Sequence, residues 1–543
     1  MVNQQQTIYI WDWLETWGPT VWCAETTFSD PFIALKTLYH SINHADYNNF
    51  LPMLMALPAH IFGKSFLHYT LYVWIMFALP GIFLTAATVK TLLENFGFKS
   101  FSCSTFMAMF MLFPVMEVPV LSGFANIAMF LPGIALFTTL LTLDKSQLQF
   151  NRLFCVAMLS IIAVFQSRTA TYMILGLFFG YTVYLITSSY IEKNLRRDFV
   201  MLCKKFLYIG LVGSLTLTTL FFEFVKKNVT SNLNEAYSGY ALGFDYLGRV
   251  FNHIAFSGFL IYAIFLAAII FGMMTKKCRA ESIFLFTWLI CAVGMFVKIQ
   301  NMGWHQSYVM VLPFSIAIVS FASMIFSKSK FVGIILPIIL VLNFAQSYFH
   351  ILKTETMVLF QTYYHLPVRY DIDDLKKFVD YMNSMTENSD RKIYLLSSSG
   401  SYNSSALQNL HFPAIYECMP NLYPTADVDL RDGFPVRFFD ADFVVVADPV
   451  QVHLRKEDQS IVVKPAELIL NPSPISEHFK LIQEYNFQPE PRKDSSVTFK
   501  VYEKIKPFEK TDIEFFQKTF EEIYPGKDEL FKNRFEQYMS EHF

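Results

Sequence analysis

Charge is what this sequence lacks. Only 16% of its 543 residues are Asp, Glu, Lys or Arg, against about a quarter in soluble domains. In their place 53% of the chain is apolar and 17% aromatic, with Phe alone occurring 58 times. That composition excludes a disordered chain and a small disulfide scaffold. The 43 Lys and Arg do not exceed the 45 Asp and Glu, so no basic surplus exists to displace counterions, and nucleic acid is excluded as a partner. The seven cysteines are scattered, with no C-x-x-C and no His pair at ligand spacing, so neither a zinc site nor a redox motif is indicated.

What is present is a series of long apolar runs between Phe66 and about Phe349, followed by an ordinary polar sequence from Asp371 onward. A spanning helix needs ~20 mostly apolar residues, because lipid offers no partner for backbone N–H and C=O groups. By that rule the runs predict about ten spans, near 66–89, 100–117, 120–143, 152–167, 170–190, 204–225, 251–274, 280–298, 307–327 and 330–350. Fourteen Lys and Arg fall in one set of alternate connections, and seven in the other when Lys36 and Lys64 are included. The richer set is expected to be cytoplasmic. Residues 1–50 then read as an extracytoplasmic first loop, 51–352 as a polytopic all-α membrane domain, and 353–543 as an extracytoplasmic soluble α/β domain. The chain would thus lie in the cell membrane as a multi-pass protein, its partner the lipid bilayer. The polar-aromatic stretch Trp11-Asp12-Trp13-Leu14-Glu15 has no apolar helix ahead of it, which leads us to expect a leading helix upstream of Met1.

The ionisable residues on the outer side are few. The first loop carries Asp12, Glu15, Glu25, Asp30 and Asp46. Within it Phe32, Leu35, Leu38, Tyr39 and Ile42 recur at helical spacing after Ser29-Asp30-Pro31, an N-cap followed by Pro at the first turn. Such a helix is suited to the membrane surface, and capping it is one role for Asp30. The apolar segment from Phe50 to Gly63 is too short to span. Glu117, Arg168, the 226–250 loop and His305 complete the outer set. An Arg isolated between apolar segments is costly unless it meets an anion, so Arg168 and His305 are candidates for holding a lipid phosphate. Lys226 joins them, and snorkelling at the interface is the ordinary alternative for Lys226, Lys227 and Arg168.

In order along the chain come an acidic first loop, a surface helix from Asp30, Asp46 sixteen positions later, and Asn49-Phe50-Leu51-Pro52 running to Phe62-Gly63. This order resembles the GT-C superfamily of membrane glycosyltransferases, which use polyprenyl-phosphate sugars. It is similar to the protein O-mannosyltransferases and to the aminoarabinose transferases of lipid A. Arg168-Thr169-Ala170-Thr171-Tyr172, Tyr237-Ser238-Gly239-Tyr240 and His305-Gln306-Ser307-Tyr308-Val309 extend the likeness over roughly residues 10–330.

The resemblance implies a GT-C-like fold and transfer of a sugar, with inversion, from a polyprenyl-phosphate donor to a cell-envelope glycan, lipid or protein acceptor. It implies a first-loop carboxylate as base, for which Asp30, Asp12 and Glu15 are the candidates. It also implies basic groups, or a divalent metal, on the departing phosphate. Asp12 and Glu15, three apart, share a helix face and can act as a pair or chelate a metal. Many members carry a second acidic residue where this chain has Asn126. Glu117, just upstream, is a substitute, and an Asn at that place can orient an acceptor without taking its proton. Tyr240 is a further acceptor-orienting candidate.

Beyond the membrane domain, the pattern predicts a helix over Asp371–Met385, strands at Lys392–Ser397, Ala441–Ala447 and Thr498–Glu503, and a helical tail over 511–543. Ser397–Ser401 after the first strand has one Gly and no phosphate-loop pattern, so nucleotide binding is rejected. Ser399, Tyr402 and Asn403 suit either a sugar or a turn. Two other functions compete with the transferase. A flippase of lipid-linked sugars would carry inverted repeats and mid-membrane charges; no repeat is evident, and the few charges within predicted spans, Glu223 and Glu281, lie near span ends. A non-catalytic subunit of an envelope-assembly complex would fit Asn126 standing in place of an acid.

Overall fold

The computed structural model of the chain describes residues 8, 10–349, 359–360, 369–387, 389–410, 418–489 and 496–543. Internal packing divides the chain into two compact units. One takes in Asp12–Ser231 and Phe244–His365; the other joins Gln4–Trp11 and Asn232–Gly243 to Leu366–Phe543. The domain edge expected at 352/353 lies outside the described residues.

In the first unit three short helices, α1 (Trp17–Ser29), α2 (Pro31–His44) and α3 (Phe50–Phe62), precede the long apolar ones. Asp30 caps α2: its Oδ1 accepts the Ile33 N–H at 3.0 Å, with Pro31 in the first turn. This satisfies one of the donors a helix start leaves open. The expected apolar stripe on α2 splits between two faces. Ala34, Ile42 and Asn43 are buried, while Phe32, Leu35 and Tyr39 are 77%, 61% and 57% exposed. α3 likewise turns Leu51, Met55 and Ala59 inward and leaves Leu54, Leu57 and Ile61 exposed.

The expectation of ten spans is corrected. Among the described residues six helices are long and apolar enough to cross a membrane: Phe66–Asn95, Ala170–Ile191, Leu195–Leu220, Arg279–Val297, His305–Lys328 and Lys330–Phe349. The number rises to eight at most, if each of two bent pairs counts as one span. The apolar runs at the other four places are real, but local chemistry breaks or shortens them. Cys103–Met111 and Pro114–Leu121 meet at 82°, where Pro114 interrupts the helical ladder. Tyr246–Ser257 and Phe259–Met274 meet at 97° across Gly258, whose φ of 89° is one that glycine adopts freely. Phe150–Gln166, at 17 residues, is about 25 Å long, short of the ~30 Å hydrocarbon layer. Asn126–Leu141 is shorter still, its first turn a 3-10 turn.

Among the described residues the most extensive helix pairing joins Ala170–Ile191 to Arg279–Val297. Gly176 and Gly180 form a G-x-x-x-G face, and a Cβ at Gly180 would stand 2.6 Å from the Phe284 ring. Small residues at that spacing let two backbones approach closely. Trp288 Nε1 then donates to the Met173 carbonyl at 2.8 Å across the contact.

The second unit holds a four-stranded sheet: β1 (Ile393–Leu396), β2 (Phe443–Asp448), β3 (Phe479–Phe487) and β4 (Val497–Lys504), in the order β1-β2-β4-β3. β1 and β2 are parallel and the other pairings antiparallel. All four residues of β1 are buried, as expected of a strand covered on both faces. Tyr394, Leu396, Val444 and Val446 pack with Phe434, Phe438 and the C-terminal Phe516, Phe520 and Phe535. Phe378, from the helix Ile372–Thr386, packs on Phe487 and Phe499. The predicted strands correspond to β1, β2 and β4. The edge strand β3 escaped prediction because only its ends, Phe479 and Phe487, are buried, so the alternation of a half-buried strand is missing.

Candidate functional site

Asp12 and Glu15 are positioned by their apolar neighbours. Leu14 and Trp17 are each 1% exposed. Trp17 Nε1 donates to the Lys64 carbonyl at 3.0 Å, and its ring meets Phe66 at 4.9 Å. Anchoring those two side chains leaves Asp12 and Glu15 on the half-buried face of the same turn. Asp46 and Tyr47 follow α2 in a loop that is fixed by two side-chain bonds. Ser41 Oγ accepts from Asn49 N at 2.9 Å, and Asn48 Oδ1 accepts from Phe50 N at 2.9 Å.

Arg168 sits in the turn between Phe150–Gln166 and Ala170–Ile191. Asn126 holds that turn by donating to Ser167 Oγ at 3.0 Å, and Ser167 Oγ lies 2.9 Å from Thr169 Oγ1. His305 opens its helix with the ring stacked on Phe124, 4.2 Å between centroids and 12° between planes. Lys227 comes from the helix Phe222–Thr230 and donates to the His44 carbonyl at 3.0 Å.

These separate segments bring three carboxylates and three basic groups together. The Tyr47 hydroxyl donates to Asp12 Oδ1, and His305 Nε2 lies 3.6 Å from Asp12 Oδ2. Asp46 Oδ1 accepts from Lys227 Nζ at 2.6 Å and lies 3.6 Å from an Arg168 nitrogen. The Arg168 guanidinium stands 4.9 Å from the Tyr47 ring centroid, a cation–π arrangement. Burial first, then the Asp12 charge, push the Glu15 carboxyl up to about 7; Asp46 adds to the rise and Arg168 opposes it. A carboxyl that titrates near neutrality beside an arginine is equipped to take up and release a proton at ordinary pH.

Of the residues singled out in the sequence, Asp12, Glu15, Arg168 and His305 meet in this cluster, and Asn126 buttresses the Arg168 turn. The remainder lie elsewhere. Asp30 caps α2. Lys226 faces away, 60% exposed and 3.8 Å from Glu223, while its neighbour Lys227 points inward; consecutive residues on a helix are not on one face. Glu117 accepts from the Tyr348 hydroxyl at 2.9 Å. Tyr240 belongs to the second unit, where its hydroxyl accepts from Arg431 at 3.0 Å. In that unit Asn403 caps a short helix through Ala406 N at 2.8 Å, and Tyr402 donates to Asp371 at 2.6 Å, so both serve the local fold.

Asp46, Tyr47 and Lys227 are the members absent from the sequence-derived site. Asp46-Tyr47-Asn48-Asn49 was visible as a polar break between two apolar helices, and its place within the acidic first loop was the available signal. Among the described residues no group of three or more His, Cys, Asp or Glu side chains is gathered so as to hold a metal ion. No protein-family model matches the chain, and no curated protein matches it.

Proposed function

We propose that the chain is a membrane glycosyltransferase that moves a sugar from a polyprenyl-phosphate carrier to an envelope acceptor at the outer membrane surface. The observation that carries this reading is the Glu15 carboxyl, raised to about 7 among Asp12, Asp46 and Arg168, with Lys227 bonded to Asp46 and His305 facing Asp12. The order of sequence features that resembles GT-C transferases supports it, and so does the apolar helical unit in which the cluster is set.

In this reading Glu15 is the base. It takes the proton from an acceptor hydroxyl as the oxygen attacks the anomeric carbon. The bond from that carbon to the phosphate oxygen breaks, and the phosphate leaves with the electron pair. Arg168 and Lys227 balance its charge, since preorganised cations stabilise a leaving group most where water is excluded. Asp12, bonded by Tyr47 and facing His305, positions the acceptor beside Glu15. Asn126 acts at one remove, by fixing the turn that presents Arg168.

The test is mass-spectrometric detection of product from the full chain reconstituted in bilayers with polyprenyl-phosphate sugars and a panel of envelope acceptors. Product formation by the wild type that is abolished by Arg168→Gln and by Asp12→Asn supports the reading. Movement of the intact lipid-linked sugar across the bilayer without bond cleavage would replace it with a flippase, and turnover indifferent to both substitutions would remove the site.

A further inference from the structure

Two cations from different parts of the first unit converge on a single carboxylate oxygen. Lys227 Nζ is 2.6 Å from Asp46 Oδ1, and an Arg168 guanidinium nitrogen is 3.6 Å from the same atom. Each cation is held in place by other contacts. Lys227 also donates to the His44 carbonyl, and Arg168 rises from the Asn126-buttressed turn and lies over the Tyr47 ring. Asp46 is on a short loop and its side chain is 57% exposed, against 39% for each cation. The carboxylate is the more exposed member of the trio and the one that sits on a loop between helices.

Two preplaced cations around one acceptor suit a phosphate better than a carboxylate, because a phosphate brings more oxygens and more charge to the same point. The two helices that flank the trio expose apolar side chains. Tyr39 of α2 is 57% exposed with its ring 6.1 Å from Phe221, and the Lys227 helix exposes Phe222 and Val229. Such surface on the flanking helices suits a ligand that carries its phosphate on a lipid.

We propose that Asp46 is a built-in stand-in for the headgroup phosphate of a lipid: it neutralises the Arg168–Lys227 pair at rest, and the incoming phosphate displaces it. The proposal rests on the reading of Arg168 and Lys227 as the phosphate-binding pair. It adds a competitive latch to that pair. At rest the latch keeps two cations from standing uncompensated beside the bilayer. It also sets a threshold, since a weakly held anion cannot take the place of a carboxylate already bonded at 2.6 Å.

The experiment measures equilibrium binding of undecaprenyl phosphate in nanodiscs, and separately of inorganic phosphate, to the full chain. Asp46→Asn keeps the shape of the side chain and removes the competing charge. It should tighten binding of the lipid phosphate about three- to tenfold, the scale set by half-exposed ion pairs. Asp46→Glu, which restores the charge, should bind as the wild type does. Arg168→Gln should weaken binding and cancel the gain in the double variant with Asp46→Asn. Unchanged or weaker binding by Asp46→Asn, with Arg168→Gln still harmful, overturns the latch and leaves the phosphate pair standing. A gain seen with inorganic phosphate but not with the lipid overturns the assignment to a lipid headgroup. Binding of neither probe by any form overturns the latch and the phosphate pair together.

Discussion

Glu15 offers the sharpest perturbation. Its carboxyl is raised from 4.5 to about 7, chiefly by burial and secondly by Asp12. Between those two values the folded chain keeps a proton that the unfolded chain has released, so stability falls as pH rises through the window. Each tenfold change in acidity is worth about 1.4 kcal/mol. Allowing for solvent screening at a half-buried site, ionised Glu15 should destabilise the fold by on the order of 2–3 kcal/mol. Glu15→Gln cannot ionise. The assay is the unfolding midpoint of wild type and variant in the same detergent, at about pH 4 and about pH 8.5, chosen to bracket the window. The wild type should lose stability relative to the variant between the two conditions, by a few degrees in midpoint. Titrating groups that do not interact with Glu15 cancel in that difference. A gap between wild type and variant that is equal at both pH values would refute the raised carboxyl and, with it, Glu15 as a base poised for neutral pH.

Other outcomes follow from the same geometry. Arg168→Gln removes the one neighbour that pulls Glu15 downward, so the pH dependence of stability should move to higher pH, read by the same melts. Asn126→Ala releases the turn carrying Arg168 and should lower transfer about tenfold to a hundredfold, as small misplacements do, measured by product formation at fixed donor. Asp30→Ala should destabilise α2 by about 0.5–2 kcal/mol, and Asp30→Ser, which can still cap, should recover most of it; thermal midpoints of the pair check this. Gly180→Leu forces a side chain against Phe284 and should destabilise the first unit by about 1–3 kcal/mol or prevent insertion, seen as lost monodisperse protein on size exclusion.

Much of this architecture could be read before the fold was known, and the failures have physical causes. The apolar runs marked the long helices of the first unit, because lipid and core demand the same side chains, but not the shorter Trp17–Ser29 and Phe222–Thr230. They could not tell a span from a broken one: Gly258 bends its helix through backbone freedom, which composition does not reveal. Asp30 announced its capping role through Pro31 beside it. Strands β1 and β2 were legible as continuous apolar runs, and β3, polar along its exposed length, was not.

At the site, Asp12, Glu15, Arg168 and His305 stood out because charge is scarce in this chain. Their assembly with Asp46, Tyr47 and Lys227 depends on contacts between residues as far apart in the chain as Asp12 and His305, which no local pattern encodes. The choice of Lys227 over Lys226 was fixed only by the rotation of one nine-residue helix.

The most direct measurement is the pH dependence of single-turnover sugar transfer from polyprenyl-phosphate sugar by the reconstituted full chain. The account predicts a rate that rises with pH across about 7 as Glu15 gives up its proton. It also predicts a Glu15→Gln variant about a hundredfold to ten-thousandfold slower, with that rise gone. Transfer by Glu15→Gln at the wild-type rate, with the same rise intact, would contradict it.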